Sequence, residues 1–284
     1  MINVLSVDVE DWFHPSEAAA AVTEQSWPEL QSRVVDSTRL LLETLESTRT
    51  LATFFVLGWV ARRHPDLVAG IAAAGHELGC HSDKHKLIYD MAPEDFRADT
   101  RTAKQSIEDA AGTAVQSYRA PSYSITKRSL WALEILAEMG FSHDSSIYPV
   151  SHDRYGIPDA PRHAHVRRTP GGDIIEVPVA AARLSARRVA PVGGGAYFRI
   201  FPYRYTAAGI RRINDDDGKP ACIYIHPWEF DPGQPRLSLG PAGRLRTYTG
   251  LSGMRRKLTR LLEDFRFSTI AQTYPTSSGL PISS

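Results

Sequence analysis

Two histidines, His81 and His85, lie four residues apart in the segment GHELGCHSDKH, directly after a short apolar run. Two imidazoles at this spacing face the same way on a helical turn and can bind one divalent metal ion through their neutral nitrogens. The alternative is a polar surface loop, because a chain with 10 histidines contains such spacings by chance. A catalytic metal site usually has three protein ligands and an open position for water, so a third ligand is needed beside the two histidines.

The acidic segment SVDVEDW near the N-terminus can supply that further ligand. Side chains alternate along a strand, so Asp8 and Glu10 point to one face and Asp11 points to the other. This pattern favours Asp8 and Glu10 as the two carboxylates that act together at the site. A turn of the backbone after Val9 would bring in Asp11 instead, and the alternative for Asp11 is a helix-capping acid.

The chain up to about residue 149 alternates apolar strands with amphipathic helices. This β-α-β-α-β-α-β-α-β order is typical of an α/β fold with parallel strands joined by crossover helices. In such folds, catalytic groups collect at the C-terminal ends of the strands. Ionisable residues follow five predicted strands, namely Asp8 to Asp11, His81, Arg119, Asp144 and His226. The sequence therefore predicts one shared site.

The composition is that of an ordinary globular protein, with 42% hydrophobic and 23% charged residues in 284. A net charge of +1 gives no electrostatic reason to expect nucleic acid as a partner. We see no signal peptide and no membrane span, so we expect a cytoplasmic protein, with peripheral association to an inner-membrane polysaccharide assembly left open. Cys80 and Cys222 are expected to be buried thiols.

No linker divides the chain, so we expect one domain over residues 1–270, with an irregular C-terminal part from about residue 150. Residues 271–284 are rich in Pro, Ser and Gly, which predicts a flexible tail. Homo-oligomerisation is left open.

The motifs, taken in order, resemble the polysaccharide deacetylase superfamily, also called the NodB-homology or carbohydrate esterase 4-like group. The matching segments between residues 3 and about 231 are SVDVEDW, ATFFVLG, GHELGCHSDKH, YRAPSYS, GFSHDSSIYP and YIHPWEFD. Within the superfamily, DVEDWF and HPWEFDPGQPR are most similar to deacetylases of exosortase-linked exopolysaccharide loci. The resemblance implies a distorted (β/α)7-type barrel.

The resemblance also implies a metal-dependent hydrolase that removes N-acetyl groups from a sugar of a polysaccharide or its precursor. Asp8 would be the general base, and Arg119 would orient it and keep it ionised. His226 would be the general acid, held protonated by a neighbouring carboxylate such as Asp144. Each residue also has a structural alternative, such as a salt bridge for Arg119 or a turn for Asp144.

The metal ligands implied by the resemblance are Glu10, His81 and His85, with Asp11 as the alternative third ligand. Glu10 stands where the family usually has an aspartate. Zn²⁺ is the expected ion, with Co²⁺, Ni²⁺ or Mn²⁺ as alternatives. Aromatic and rigid residues beside the predicted site are expected to bind the carbohydrate, namely Trp12, Pro121, Tyr123 and Trp228.

Two other functions stay open at this point. One is a cyclic amide or imide hydrolase, since the same superfamily includes such enzymes. The other is a carbohydrate-binding protein of an export complex with a degenerate site, which the unusual Glu10 leaves open.

Overall fold

A computed structural model of the protein describes residues 1–152, 154–185 and 188–283. The predicted alternation of strands and helices in the first half is confirmed. Its elements are β1 (Ile2–Val9), α1 (Val34–Ser47), β2 (Thr53–Val56), α2 (Gly58–Arg63), α3 (Pro65–Ala73), β3 (Glu77–Cys80), α4 (Pro93–Ala111), β4 (Ser117–Tyr118), α5 (Trp131–Glu138) and β5 (His143–Asp144).

The second half is less regular and contains shorter elements. They are β6 (His165–Thr169), β7 (Gly172–Glu176), β8 (Ala181–Ser185), β9 (Arg188–Pro191), α6 (Gly195–Ile200), α7 (Tyr203–Asp215), β10 (Cys222–Ile225), α8 (Pro241–Tyr248), α9 (Met254–Asp264), β11 (Arg266–Ser268), α10 (Ile270–Thr273) and β12 (Ile282–Ser283). Short 3-10 turns connect several of them.

One large sheet has the strand order β10-β1-β2-β3-β4-β5-β7-β6-β12, and β11 also pairs with β1. All neighbours are parallel except β6 and β7, which are antiparallel. Within the described residues β10 and β12 do not pair, so the sheet is open where a barrel would close. The predicted α/β fold is confirmed, in an unclosed form of the barrel.

The strand β1 lies in the middle of this architecture, and every residue from Asn3 to Val9 is buried. Its neighbours β2 and β10 are buried along their full length as well. Parallel strands covered by helices on their faces bury both sides, which explains their continuous apolar sequences. Consequently the polar residues that follow these strands are held on a rigid base.

The helical stretch between residues 58 and 73 is divided into two helices. α2 ends at Arg63, His64 takes a non-helical conformation, and Pro65 begins α3. A proline cannot donate a backbone hydrogen bond and disfavours helix in the residue before it, so the helix breaks there.

The segment expected to be a flexible tail, 271–284, contributes two described features to the fold. The side chain of Tyr274 is buried, and Ile282 and Ser283 pair with β6 in a parallel register. The domain limits stay a prediction. No helix in residues 1–152, 154–185 or 188–283 combines the length and the apolar character needed to cross a membrane. Cys80 and Cys222 are buried free thiols, as expected.

Candidate active site

The C-terminal ends of β1, β3, β4 and β10 meet around one cavity of about 390 Å³. Its wall contains several of the residues that the sequence predicts for a shared site. They include Asp8, Glu10, His85, Tyr123, His226 and Trp228.

Glu10, His81 and His85 form one of two groups of metal-binding residue types among the described residues, and Asp8, Glu10 and His226 form the other. The Glu10 Oε1 atom lies 3.1 Å from Nε2 of His81 and 3.1 Å from Nε2 of His85. All three side chains are buried, and their ligand atoms lie within 4.8 Å of one another. Burial raises the pKa of Glu10, but His85 and His226 outweigh it and hold that pKa well below its usual range.

The hydrogen bonds of His81 fit a metal ligand. Its Nδ1 lies 2.7 Å from the carbonyl oxygen of Arg119, which can only accept, so Nδ1 carries the proton. The lone pair of Nε2 in the neutral ring then points at the carboxylate of Glu10. Two electron-rich atoms at this distance repel each other unless a cation or a proton lies between them. A second-sphere carbonyl on the far nitrogen is the usual partner of a metal-bound histidine.

The two histidines converge through a strained loop and not through the helical turn that their spacing suggested. Ser82 and His85 both have positive φ angles, 64° and 56°. The His85 N–H donates to the Ser82 hydroxyl at 3.0 Å. The N–H groups of Gly58 and Trp59, at the start of α2, donate to carbonyl groups of the same loop at 3.0 Å. These bonds hold a conformation that non-glycine residues rarely adopt.

Asp11 does not join the histidines. Its carboxylate accepts hydrogen bonds from the Ser32 hydroxyl at 2.6 Å and from the backbone N–H groups of Arg33 and Val34. These groups belong to the start of α1, so Asp11 caps that helix from a distant strand end. The structure therefore brings Glu10 to the histidines, in agreement with the alternation of side chains along β1.

Asp8 is paired with a fully buried arginine. Nη1 of Arg119 donates to Oδ1 of Asp8 at 2.7 Å and to the Ser6 hydroxyl at 2.7 Å. Nη2 of the same guanidinium donates to the Ser145 hydroxyl at 2.8 Å. Burial opposes the charge of Arg119, but Asp8 outweighs it and raises its pKa, so the arginine stays charged. The guanidinium, itself held by Ser6 and Ser145, fixes Oδ1 of Asp8 through one charge-assisted hydrogen bond.

His226 lies between two carboxylates. Its Nε2 is 3.8 Å from Oδ2 of Asp8, and its Nδ1 is 3.3 Å from Oε2 of Glu229. Arg199 donates through Nε to the other oxygen of Glu229 at 2.6 Å. Burial lowers the pKa of His226, but Glu229, Glu10 and Asp8 together raise it to about 9. The imidazole is therefore protonated at neutral pH.

The carboxylate beside His226 is Glu229, so the expectation that Asp144 fills this place is wrong. Asp144 accepts from the Ser146 hydroxyl at 2.6 Å and is paired with Glu176. Its strand, β5, is separated from β10 by four intervening strands of the sheet. Burial and the neighbouring Asp144 raise the pKa of Glu176 well above its usual range, so Glu176 holds the proton of this pair.

Glu229, and its pairing with Arg199, were not predicted from the sequence. One signal for Glu229 was present, because a carboxylate three residues after His226 in HPWE suits a capping interaction. In the structure, Oε2 of Glu229 accepts from the backbone N–H of His226 at 2.9 Å, at the start of the short turn Pro227–Phe230. Arg199 follows a Gly-rich segment without any motif that points to a carboxylate partner.

The four expected carbohydrate-binding residues divide into two pairs. Tyr123 and Trp228 line the cavity, and the Trp228 ring stacks on His226 with centroids 5.0 Å apart. Trp12 and Pro121 are not among the described residues that line it. Trp12 is packed against Phe13, and its Nε1–H donates to the backbone of the segment before α1. Trp12 therefore supports the fold around the site, and Pro121 is buried at the start of a 3-10 turn.

Two family models match the chain, one in each half. Residues 26–142 match the model described as polysaccharide deacetylase. Residues 145–275 match a domain of unknown function, DUF3473. The junction falls at β5, where the regular alternation of strands and helices ends.

Two curated relatives match part of the first half. A peptidoglycan-N-acetylglucosamine deacetylase of Bacillus cereus is 29% identical over 120 residues, 42% of this chain and 42% of that protein. A chitooligosaccharide deacetylase of a Bradyrhizobium species is 29% identical over 97 residues, 34% of this chain and 42% of that protein. The chain thus spans less than half the length of these relatives.

A solved structure matches most of the chain. It is a Mycobacterium smegmatis protein assigned as a polysaccharide deacetylase, with 20% identity and a TM-score of 0.63. The match covers 95% of this chain and 87% of that one. At this identity the likeness concerns the fold.

Proposed function

Because residues 26–142 carry a domain of the polysaccharide deacetylase family, we propose that this chain is a metal-dependent hydrolase that removes N-acetyl groups from a sugar of a polysaccharide or its precursor. One observation carries the proposal. A Glu10, His81 and His85 cluster stands beside an Asp8–Arg119 pair and a protonated His226, and the cavity reaches all three groups.

Glu10, His81 and His85 would hold a divalent cation, with zinc favoured by two imidazoles and a carboxylate. When bound, such an ion lowers the pKa of a water molecule and polarises the acetamide carbonyl. All three side chains are buried, and the backbone carbonyl of Arg119 fixes the proton of His81 on Nδ1. The Nε2 atom of His81 is therefore free to bind the cation together with the other two ligand atoms.

Asp8 is the group that takes the proton of the attacking water. Its Oδ1 atom is occupied by Arg119, so Oδ2 is the oxygen that is free to accept. Because a buried guanidinium fixes the carboxylate from one side, the accepting oxygen has a defined direction. The water oxygen then forms a bond to the carbonyl carbon of the N-acetyl group.

His226 is the group that donates a proton to the departing nitrogen. Breaking the C–N bond leaves an amine that needs one proton, and the other product is acetate. His226 carries that proton at neutral pH because Glu229 lies against its Nδ1. Base and acid thus have separate environments, one beside an arginine and one beside a carboxylate, as this chemistry requires.

The walls of the cavity suit a sugar ring. Trp228 and Tyr123 present aromatic side chains, whose faces pack against the apolar C–H faces of sugars. The stacking of Trp228 on His226 places such a ring next to the proton donor.

The proposal is tested by acetate release from N-acetylglucosamine oligosaccharides by the zinc-loaded protein. We expect release by the wild type and a loss of at least a hundredfold in kcat for Asp8→Asn and for His226→Gln, in line with general acid–base catalysis. Asp217→Asn, which changes a half-buried acid that is paired with Arg162 outside the cavity, serves as the control. Hydrolysis of a cyclic imide with no acetate release would instead favour the imide hydrolase.

A further inference from the structure

The outer part of the cavity is lined by apolar side chains that are exposed to solvent. Of eight exposed large apolar residues among those described, three belong to this wall. We call Ile200, Phe201 and Leu245 the apolar rim; they are 36%, 41% and 56% exposed. Exposed apolar groups gathered at the mouth of a binding cavity mark a contact surface for a ligand.

The apolar rim is held by polar contacts from two cationic side chains to backbone carbonyl groups. The ammonium of Lys257 donates to the carbonyl groups of Phe201 at 2.8 Å and of Arg199 at 2.7 Å, at the end of α6. Arg199 in turn donates to the carbonyl groups of Thr247 at 3.3 Å and of Thr249 at 2.7 Å, at the end of α8. Both sides of the rim are therefore tied together through Arg199, so the surface is preformed.

A cationic side chain adjoins the rim on the cavity wall. Arg246 follows Leu245 in α8 and lines the same cavity. No carboxylate in the described residues lies within 4.0 Å of its guanidinium, whereas Arg154 on the same wall is paired with Glu17. A guanidinium in this position suits the oxygens of a phosphate group.

We propose that the sugar bound in this cavity carries an apolar chain joined to it through a phosphate. The ring lies against Trp228, the phosphate lies at Arg246, and the chain lies on the apolar rim. The substrate is then an N-acetylated glycolipid with an anionic linkage. This inference rests on the proposed function for the fate of the acetyl group, and it deepens that proposal by naming the substrate class.

Binding to the metal-free protein tests the inference apart from catalysis. The probes are N-acetylglucosaminyl dodecyl phosphate, below its micelle concentration, and N-acetylglucosamine 1-phosphate, both measured by titration calorimetry. We expect the dodecyl compound to bind at least tenfold more tightly. Leu245→Ser and Phe201→Ser should each lower the ratio of the two affinities by roughly fivefold or more, because each removes apolar area from the contact.

Two matched variants serve as controls. Leu184 on β8 is 53% exposed, close to the value for Leu245, but does not line the cavity. Leu184→Ser should leave both affinities unchanged. Arg246→Gln should weaken both phosphate compounds, whereas Arg244→Gln, in the same helix but outside the cavity wall, should weaken neither.

Equal affinities for the two probes would overturn the inference, as would an equal effect of Leu184→Ser and Leu245→Ser. Tighter binding to phosphatidylglycerol vesicles than to the dodecyl compound, lost in Leu245→Ser, would also overturn it in favour of a membrane-docking surface. Failure of the proposed function has a different signature, because tight binding of the dodecyl compound without acetate release would leave the inference standing.

Discussion

Replacing Glu229 by glutamine tests how the proton donor is held in its charged form. Glu229 is the first of the carboxylates that raise the pKa of His226, and its Oε2 is 3.3 Å from Nδ1 of the ring. Glutamine keeps the shape and can still accept from Arg199. The variant therefore removes a charge from the pair with little change in packing.

The expected effect follows from the protonated fraction of the imidazole. With the pKa of His226 at about 9, about nine-tenths of the rings are protonated at pH 8; at an ordinary pKa near 6.5, about 3% are. Burial lowers the pKa of His226, whereas Asp8 and Glu10 remain to raise it. We therefore expect the pKa that describes the alkaline limb of kcat/KM to move from about 9 towards 6.5. A complete shift corresponds to roughly a thirtyfold loss at pH 8 and less than twofold at pH 6.

The assay is a pH–rate profile of acetate release between pH 5.5 and pH 9.5, with urea unfolding as a check on the fold. Glu17→Gln is the matched control, because Glu17 lines the same cavity but is paired with Arg154. Its alkaline limb should not move. If Glu229→Gln lost the same factor at pH 6 and at pH 8, Glu229 would be a structural residue and the reasoning would be refuted.

Three further substitutions test other parts of the account. Asp11→Ala should lower the free energy of unfolding by about 1–2 kcal/mol in urea, because α1 loses its cap, while metal binding persists; loss of the metal would contradict the separation of Asp11 from the histidines. Arg119→Lys should lower kcat at least about tenfold at unchanged KM, because an ammonium cannot reproduce the contacts of the guanidinium with Asp8, Ser6 and Ser145 together; an unchanged kcat would contradict the orienting role of that guanidinium. Glu176 has a raised pKa in the folded protein, so its contribution to stability is present below the unfolded pKa and is lost as the pH rises above it. Stability measured from pH 5 to pH 8 should therefore fall less steeply in Glu176→Gln than in the wild type, and equal slopes would show that Glu176 is not the proton holder.

Local rules were sufficient to predict the alternation of strands and helices in the first half of the fold and the side of β1 that faces the histidines. Strands and helices alternate visibly in the sequence, and parallel strands place their C-terminal ends together. Alternation along β1 then separates Glu10 from Asp11, as the hydrogen bonds of both residues show. The loop that carries His85 was less predictable, because positive φ angles at Ser82 and His85 leave no trace in residue type.

The partner of His226 depended on facts that no local pattern contains. Asp144 and Glu229 both follow strand-like segments, and only the order of strands in the sheet decides which carboxylate reaches the imidazole. Arg199 comes from the irregular second half, where close contacts of Gly194 and Gly195 with Tyr224 set the start of α6. Such long-range packing is decided by the whole fold.

Metal binding by variants of Glu10 and Asp11 tests the central claim most directly. Each protein is equilibrated with zinc, freed of excess ion and measured for zinc content and for acetate release. We expect about one equivalent of zinc in the wild type and in Asp11→Asn, and loss of both zinc and acetate release in Glu10→Gln. A wild type that binds no zinc, or a Glu10→Gln variant that keeps zinc while Asp11→Asn does not, would show that Glu10 is not a metal ligand.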